Sequence, residues 1–89
     1  MKKKISEFVA DAWGVPKDVI MNIPRFTISG DREIYIENHK GIRKYTESEI
    51  DIATAMGTVK IYGEKLCITN IRPEDVYISG HFSKIEYEI

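Results

Sequence analysis

The chain has 89 residues, 13 basic against 14 acidic, a formal charge of −1, and 43% hydrophobic content with one cysteine. That length holds one domain with a modest core, so association with a copy or a partner is a reasonable expectation. Near-neutral charge argues against a general nucleic-acid binder, and a lone cysteine excludes an internal disulfide and fits a reducing compartment.

No apolar run approaches the roughly 20 residues of a membrane helix. Met1-Lys2-Lys3-Lys4 resembles the charged start of an export signal, but Glu7 and Asp11 interrupt the apolar core such a signal needs. The expectation is a cytoplasmic protein with no direct membrane span.

Residues 1–14 read as an N-terminal amphipathic helix. Ile5, Phe8, Val9, Ala12 and Trp13 fall at i, i+3, i+4, i+7 and i+8, which is one helix face. Gly14 and Pro16 end it. A helix this short needs a surface to lie on. That surface is the chain's own sheet or a protein partner, which makes Ile5, Phe8, Val9 and Trp13 candidate partner-binding residues. A membrane surface fits less well, because Glu7 and Asp11 offset most of the lysine charge.

Residues 15–24 read as a connector closed by Pro24. From Arg25 to Ile89 the pattern changes to short strands with apolar residues two apart, such as Phe26/Ile28, Ile34/Ile36, Ile50/Ile52 and Val76/Ile78. Eight strands are predicted: Arg25–Ser29, Glu33–Glu37, Ile42–Tyr45, Glu49–Ala53, Thr58–Tyr62, Lys65–Thr69, Val76–Ser79 and Ser83–Glu88. Turn signals separate them, among them Gly30-Asp31, Asn38 to Gly41, Gly57, Gly63-Glu64, Arg72 to Asp75 and Gly80-His81. The fold class is mainly β: a small antiparallel meander, sandwich or barrel with one helix. A β-solenoid-like stack is the alternative that the repeated Ile-x-Ile permits.

Gly63-Glu64 is a Gly-X pair, the signature of a two-residue type II′ turn. With those residues as the loop, Ile61 faces Leu66 and Val59 faces Ile68, and all four aliphatics share a face. Gly63 and Glu64 are therefore predicted as a structural turn, with Gly63 at positive φ. A three-residue loop after Asn38 would put Glu37 opposite Arg43 and Tyr35 opposite Tyr45, with a bulge at Ile36 and Lys44. No tight turn at Arg72 to Asp75 aligns Leu66/Ile68 with Val76/Ile78, so a wider connection is predicted there.

No catalytic constellation stands out. His39 and His81 read as polar turn residues, and with Cys67 they lack zinc-ligand spacing. No catalytic residue, metal or cofactor is predicted. Five tyrosines could stack on bases or sugars, but their alternation with isoleucine favours cross-strand packing.

From Pro24 the chain resembles the YabP/YqfC family of sporulation proteins, most closely its YqfC branch. The specific stretch is Ile36-Glu37-Asn38-His39-Lys40-Gly41-Ile42. Pro24 to Gly30, Gly57 to Gly63, Leu66-Cys67-Ile68 and Val76 to Gly80 support it. The resemblance marks Glu37, Asn38, His39 and Lys40 as a candidate family-motif surface. It implies a non-enzymatic mother-cell factor that binds a protein or assembles during forespore or coat development. A membrane-anchored sporulation protein of the YqfD type is the implied partner, with recruitment to the forespore membrane. A homo-oligomer also fits. The rival reading is a small β-barrel module that binds a ligand or single-stranded nucleic acid through tyrosines.

Overall fold

The computed structural model describes residues 23–89. The predicted helix, with Ile5, Phe8, Val9 and Trp13, and nearly all of the connector lie outside the described residues. Six strands follow in order: β1 (Arg25–Ser29), β2 (Glu33–Glu37), β3 (His39–Tyr45), β4 (Glu49–Thr54), β5 (Gly57–Ile71) and β6 (Asp75–Glu88). They form one antiparallel, unclosed sheet in the order β1-β2-β6-β5-β4-β3. A solenoid stack is thereby ruled out for these residues.

The long strands β5 and β6 make the sheet fold over on itself. The first half of β5 pairs with β4, from Gly57↔Thr54 to Tyr62↔Glu49. The first half of β6 pairs with β2, from Asp75↔Glu37 to Ser79↔Glu33. Two leaves result, β1-β2-β6-β5 and β6-β5-β4-β3, joined across a bend in the β5–β6 pair. Ile34 and Ile36 of one leaf share a single cluster with Ile50, Ile52, Val59 and Ile61 of the other, closed by Leu66, Val76 and Ile78. Each fully buried aliphatic contributes about 1.5–3 kcal/mol. Phe26 of β1 meets Tyr87 of β6 edge-on, with ring centroids 5.9 Å apart. On the opposite side the Ile68 amide donates to the Tyr45 hydroxyl at 2.9 Å.

The predicted turn at Gly63-Glu64 is not a turn. β5 continues through it, with a register shift that skips Ser83 of β6 and then Gly63 paired to Phe82 and Glu64 to His81. Gly63 is not at positive φ; Lys65 is, at 54°. The reason is parity. Ile61 and Leu66 are five residues apart, so a plain strand would put them on opposite faces. A reversal cures this, and so does one extra residue in the strand. The chain takes the second route: between Glu64↔His81 and Cys67↔Ser79, two residues of β5 oppose the single Gly80. The aliphatic face is preserved without a turn.

Gly63 is required for closeness instead of φ. A Cβ there would lie 2.0 Å from the His81 carbonyl oxygen. The predicted turn at Gly80-His81 is also mid-strand. It faces Gly63-Glu64 across the β5–β6 pair, with Gly80 at φ +145°. The two glycine pairs therefore mark one bend, and eight predicted strands become six.

β2 and β3 do not pair either, so the Glu37–Arg43 and Tyr35–Tyr45 register is corrected. Asn38, at φ 64°, turns the chain from one leaf to the other. The connection at Arg72 is tight, not wide: Ile71 pairs with Val76, and the Arg72 amide donates to the Asp75 carbonyl at 2.8 Å. A further bulge at Thr69, between Ile68↔Ile78 and Asn70↔Tyr77, supplies the alignment a simple register lacked.

Candidate functional site

The corner at Asn38 and the tip of the β5–β6 hairpin lie side by side. Together Asn38–Gly41 and Ile71–Glu74 line an open cleft. Backbone bonds hold the two segments in place: the Glu74 carbonyl accepts from the Asn38 amide at 2.7 Å and the His39 amide at 3.3 Å. The Asn38 side chain donates from Nδ2 to the Ile23 carbonyl at 3.1 Å, which ties the corner to the segment leading into β1.

His39 is buried, at 6% exposure, and is not the polar surface residue predicted. The Gly41 amide donates to its Nδ1 at 3.0 Å, so Nδ1 is the unprotonated nitrogen. Nε2 then carries the proton and donates to the Arg72 carbonyl at 2.9 Å, with the Asp75 carbonyl at 3.3 Å. Both ring nitrogens serve backbone groups. The ring is a brace between the β2–β3 corner and the hairpin tip.

A second brace adjoins it. Arg72 grips Asp75 bidentately, Nε to Oδ1 at 2.6 Å and a terminal nitrogen to Oδ2 at 2.8 Å. The Tyr35 hydroxyl donates to Oδ2 at 2.8 Å, and its ring stacks on Tyr77 with centroids 4.3 Å apart. The Arg72 guanidinium, then the Tyr35 hydroxyl, hold the Asp75 carboxyl below the usual carboxylate range. The same hydrogen bond pushes the Tyr35 phenol up. Sequence reasoning passed over this network. Its signal was Arg72 three residues before Asp75 across a turn, with Tyr35 and Tyr77 both bracketed by isoleucine or valine.

A third polar cluster sits on the outer face of the other leaf. Register places Asp51 between Lys44 and Lys60. Asp51 is 8% exposed, and its Oδ1 has no hydrogen-bond partner. Burial, then the neighbouring Glu49 carboxylate, push the Asp51 carboxyl up, while the Asp51 and Lys44 side chains pull Glu49 down. Lys44 is committed to Glu49 at 3.1 Å and Lys60 to Glu88 at 3.4 Å.

Of the candidate motif surface, Glu37 is half-buried in the ladder between Arg25 and Asp75, Asn38 and His39 shape the cleft, and Lys40 is exposed at its rim. Gly63 and Glu64 lie at the bend. Cys67 is exposed, and its Sγ contacts the Ile68 carbonyl at 3.7 Å. His81 lies 3.8 Å from Asp31. Among the described residues, no group of three metal-ligating side chains converges, and no helix is long and apolar enough to cross a membrane. Four of the five tyrosines make ring contacts: Tyr35 on Tyr77, Tyr87 on Phe26, and Tyr62 beneath the Lys84 ammonium at 5.4 Å.

The YabP family model matches residues 22–89, which takes in all six strands. A Bacillus subtilis (strain 168) protein described as uncharacterized protein YqfC is 33% identical over 86 residues, covering 97% of this chain and 92% of that protein. The chain belongs to the YabP family, and the resemblance seen in Ile36 to Ile42 holds along its length.

Proposed function

We propose that this member of the YabP family is a sporulation-associated protein that works by recognising another protein, without catalysis. The carrying observation is the state of the polar groups around the cleft. His39 gives both ring nitrogens to backbone, and Asp75 gives both oxygens to Arg72 and Tyr35. Groups spent in this way fix a surface and are poorly suited to attack or proton transfer. What they leave outward is a rim of Lys40, Pro73 and Glu74, all exposed. A rigid, mixed-charge rim of this kind suits a protein surface. The tyrosine-stacking alternative finds less support, because Tyr35 and Tyr77 already stack on each other, Tyr87 meets Phe26 and Tyr62 lies beneath Lys84.

In this reading the protein acts in the mother cell, and a membrane-anchored YqfD-type sporulation protein is the partner to test. The experiment is co-purification of that partner from sporulating cells, with and without membranes. Lys40→Glu combined with Glu74→Lys alters the rim and leaves the His39 and Asp75 braces intact. Loss of the partner and of sporulation, with unchanged melting temperature, is the expected result. Normal sporulation and normal recovery of the partner by the folded double variant would overturn the reading.

A further inference from the structure

We infer that the edge of β1 left unpaired among the described residues is a self-association edge, on which two copies pair β1 to β1 antiparallel about a two-fold axis at Thr27. The first observation is the contrast between the sheet's terminal strands. β3 departs from regular register twice, between His39 and Ile42 and between Ile42 and Lys44. It also carries Lys40, Arg43 and Lys44. Pairing β3 with itself about Ile42 would set Lys44 opposite the second copy's Lys40, like charge on like charge. Bulges and clustered cations are the usual means of blocking an edge. β1 has neither: it pairs without irregularity from Arg25↔Glu37 to Ser29↔Glu33, and it carries no lysine.

The second observation is that β1 is complementary to itself. Reversed about Thr27, Phe26 lies opposite the second copy's Ile28, and Ile28 opposite the second copy's Phe26. These are apolar pairs on the core-side face. Ile28 is 51% exposed, and Tyr87, which touches Phe26, is equally so; a second copy would cover both. On the outer face Arg25 would lie opposite the second copy's Ser29. Ser29 is flanked on β2 by Glu33 in register. Strands lie about 4.8 Å apart, so Arg25 reaches over a small serine to the second copy's Glu33. The row then reads Glu37, Arg25, Ser29, Glu33, and the two-fold repeats it. A point-group dimer of this kind closes on itself and does not propagate as a fibre. Five residues per edge make a small interface, so the association is concentration-dependent.

This inference stands on the edge and does not depend on the cleft. The test is sedimentation velocity on the full chain from micromolar to millimolar concentration, with circular dichroism to confirm folding. The mass should rise from 10.3 kDa toward twice that value. Thr27→Lys, on the exposed face at the two-fold, should hold it at the monomer. Arg25→Glu and Glu33→Arg should each do the same alone, since each sets like charges across the axis. An equimolar mixture of those two variants should recover the dimer, because both cross-axis pairs become opposite in sign. A wild-type chain monomeric throughout, a dimer indifferent to Thr27→Lys and to both reversals, or a mixture that stays monomeric would each overturn the inference. Lys40→Glu with Glu74→Lys should leave the dimer intact, which separates this result from a failure of the cleft.

Discussion

Gly63 and Lys65 distinguish a bend from a turn by the sign of two substitutions. At a type II′ turn, Gly63 would be needed for its φ, and asparagine would substitute tolerably. At the bend, any Cβ on residue 63 meets the His81 carbonyl oxygen at 2.0 Å and its carbon at 3.0 Å. Backbone cannot swing aside as a flexible side chain can, so β5 and β6 must separate where the two leaves join. Overpacking of this kind costs about 1–3 kcal/mol. A chain of this size has roughly 4–13 kcal/mol in all. At about 4–8 °C per kcal/mol, Gly63→Ala and Gly63→Asn should both lower the melting temperature by roughly 5–20 °C. Lys65 carries the opposite expectation. It holds a left-handed φ of 54°, which costs an L-residue about 1–2 kcal/mol. Glycine relieves that and loses about 0.5–1 kcal/mol in backbone entropy. Lys65→Gly should therefore be neutral or stabilising by up to about 1 kcal/mol. Thermal and urea denaturation of the three variants would check the pair. A tolerated Gly63→Asn together with a destabilising Lys65→Gly would refute the bend.

Ile61 is fully buried while its neighbour Lys60 is partly exposed on the other face, so Ile61→Ala should cost about 2–5 kcal/mol and Lys60→Ala under about 1 kcal/mol by denaturant titration. His39→Ala removes the acceptor of the Gly41 amide and the donor to the Arg72 carbonyl, at about 0.5–1.5 kcal/mol for each bond lost, and amide exchange should quicken at Gly41 first. Asp75 has a depressed folded pKa, so its contribution is present above the ordinary carboxylate value and is lost as pH falls through the folded value; Asp75→Asn should lower the melting temperature at pH 7 and matter little in strong acid. Asp51 has a raised folded pKa, so its contribution is present below the ordinary value and is lost as pH rises through the folded one; Asp51→Asn should raise the melting temperature at pH 7 and not in strong acid.

The strands were legible because their inward residues repeat every two positions. β1 and β2 have the predicted limits, and β4 extends the predicted strand by one residue. The connections were not legible to the same degree, because one odd interval has two solutions. Ile61 to Leu66 demands a change of phase, and Gly63 admits either a reversal or a bulge. What decides is pairing partners far along the chain: Ile61 faces Ile50 on one side and Ile85 on the other. That information lies in tertiary register, not in a local window. His39 escaped for a related reason. Its place beside Asn38, Lys40 and Gly41 looks like a loop, and only the hairpin tip, 33 residues on, turns it into a buried brace.

The same long-range register explains why polar side chains at one corner of the sheet are tied to backbone groups. A two-leaf sheet built from short strands has corners at which the chain must leave one leaf for the other, and each corner strands backbone groups that need partners. At the corner after β2 the Glu74 carbonyl and the His39 ring take that duty, and Arg72 and Asp75 hold the facing hairpin so that they can. His39 and Gly41 lie within Ile36 to Ile42, the stretch on which the family resemblance is read. Lys40 and Glu74 are exposed at this corner, and the edge of β1 that begins at Arg25 is unpaired among the described residues. A partner that reads this end of the molecule would meet a surface whose shape is fixed before it arrives, at little ordering cost on binding.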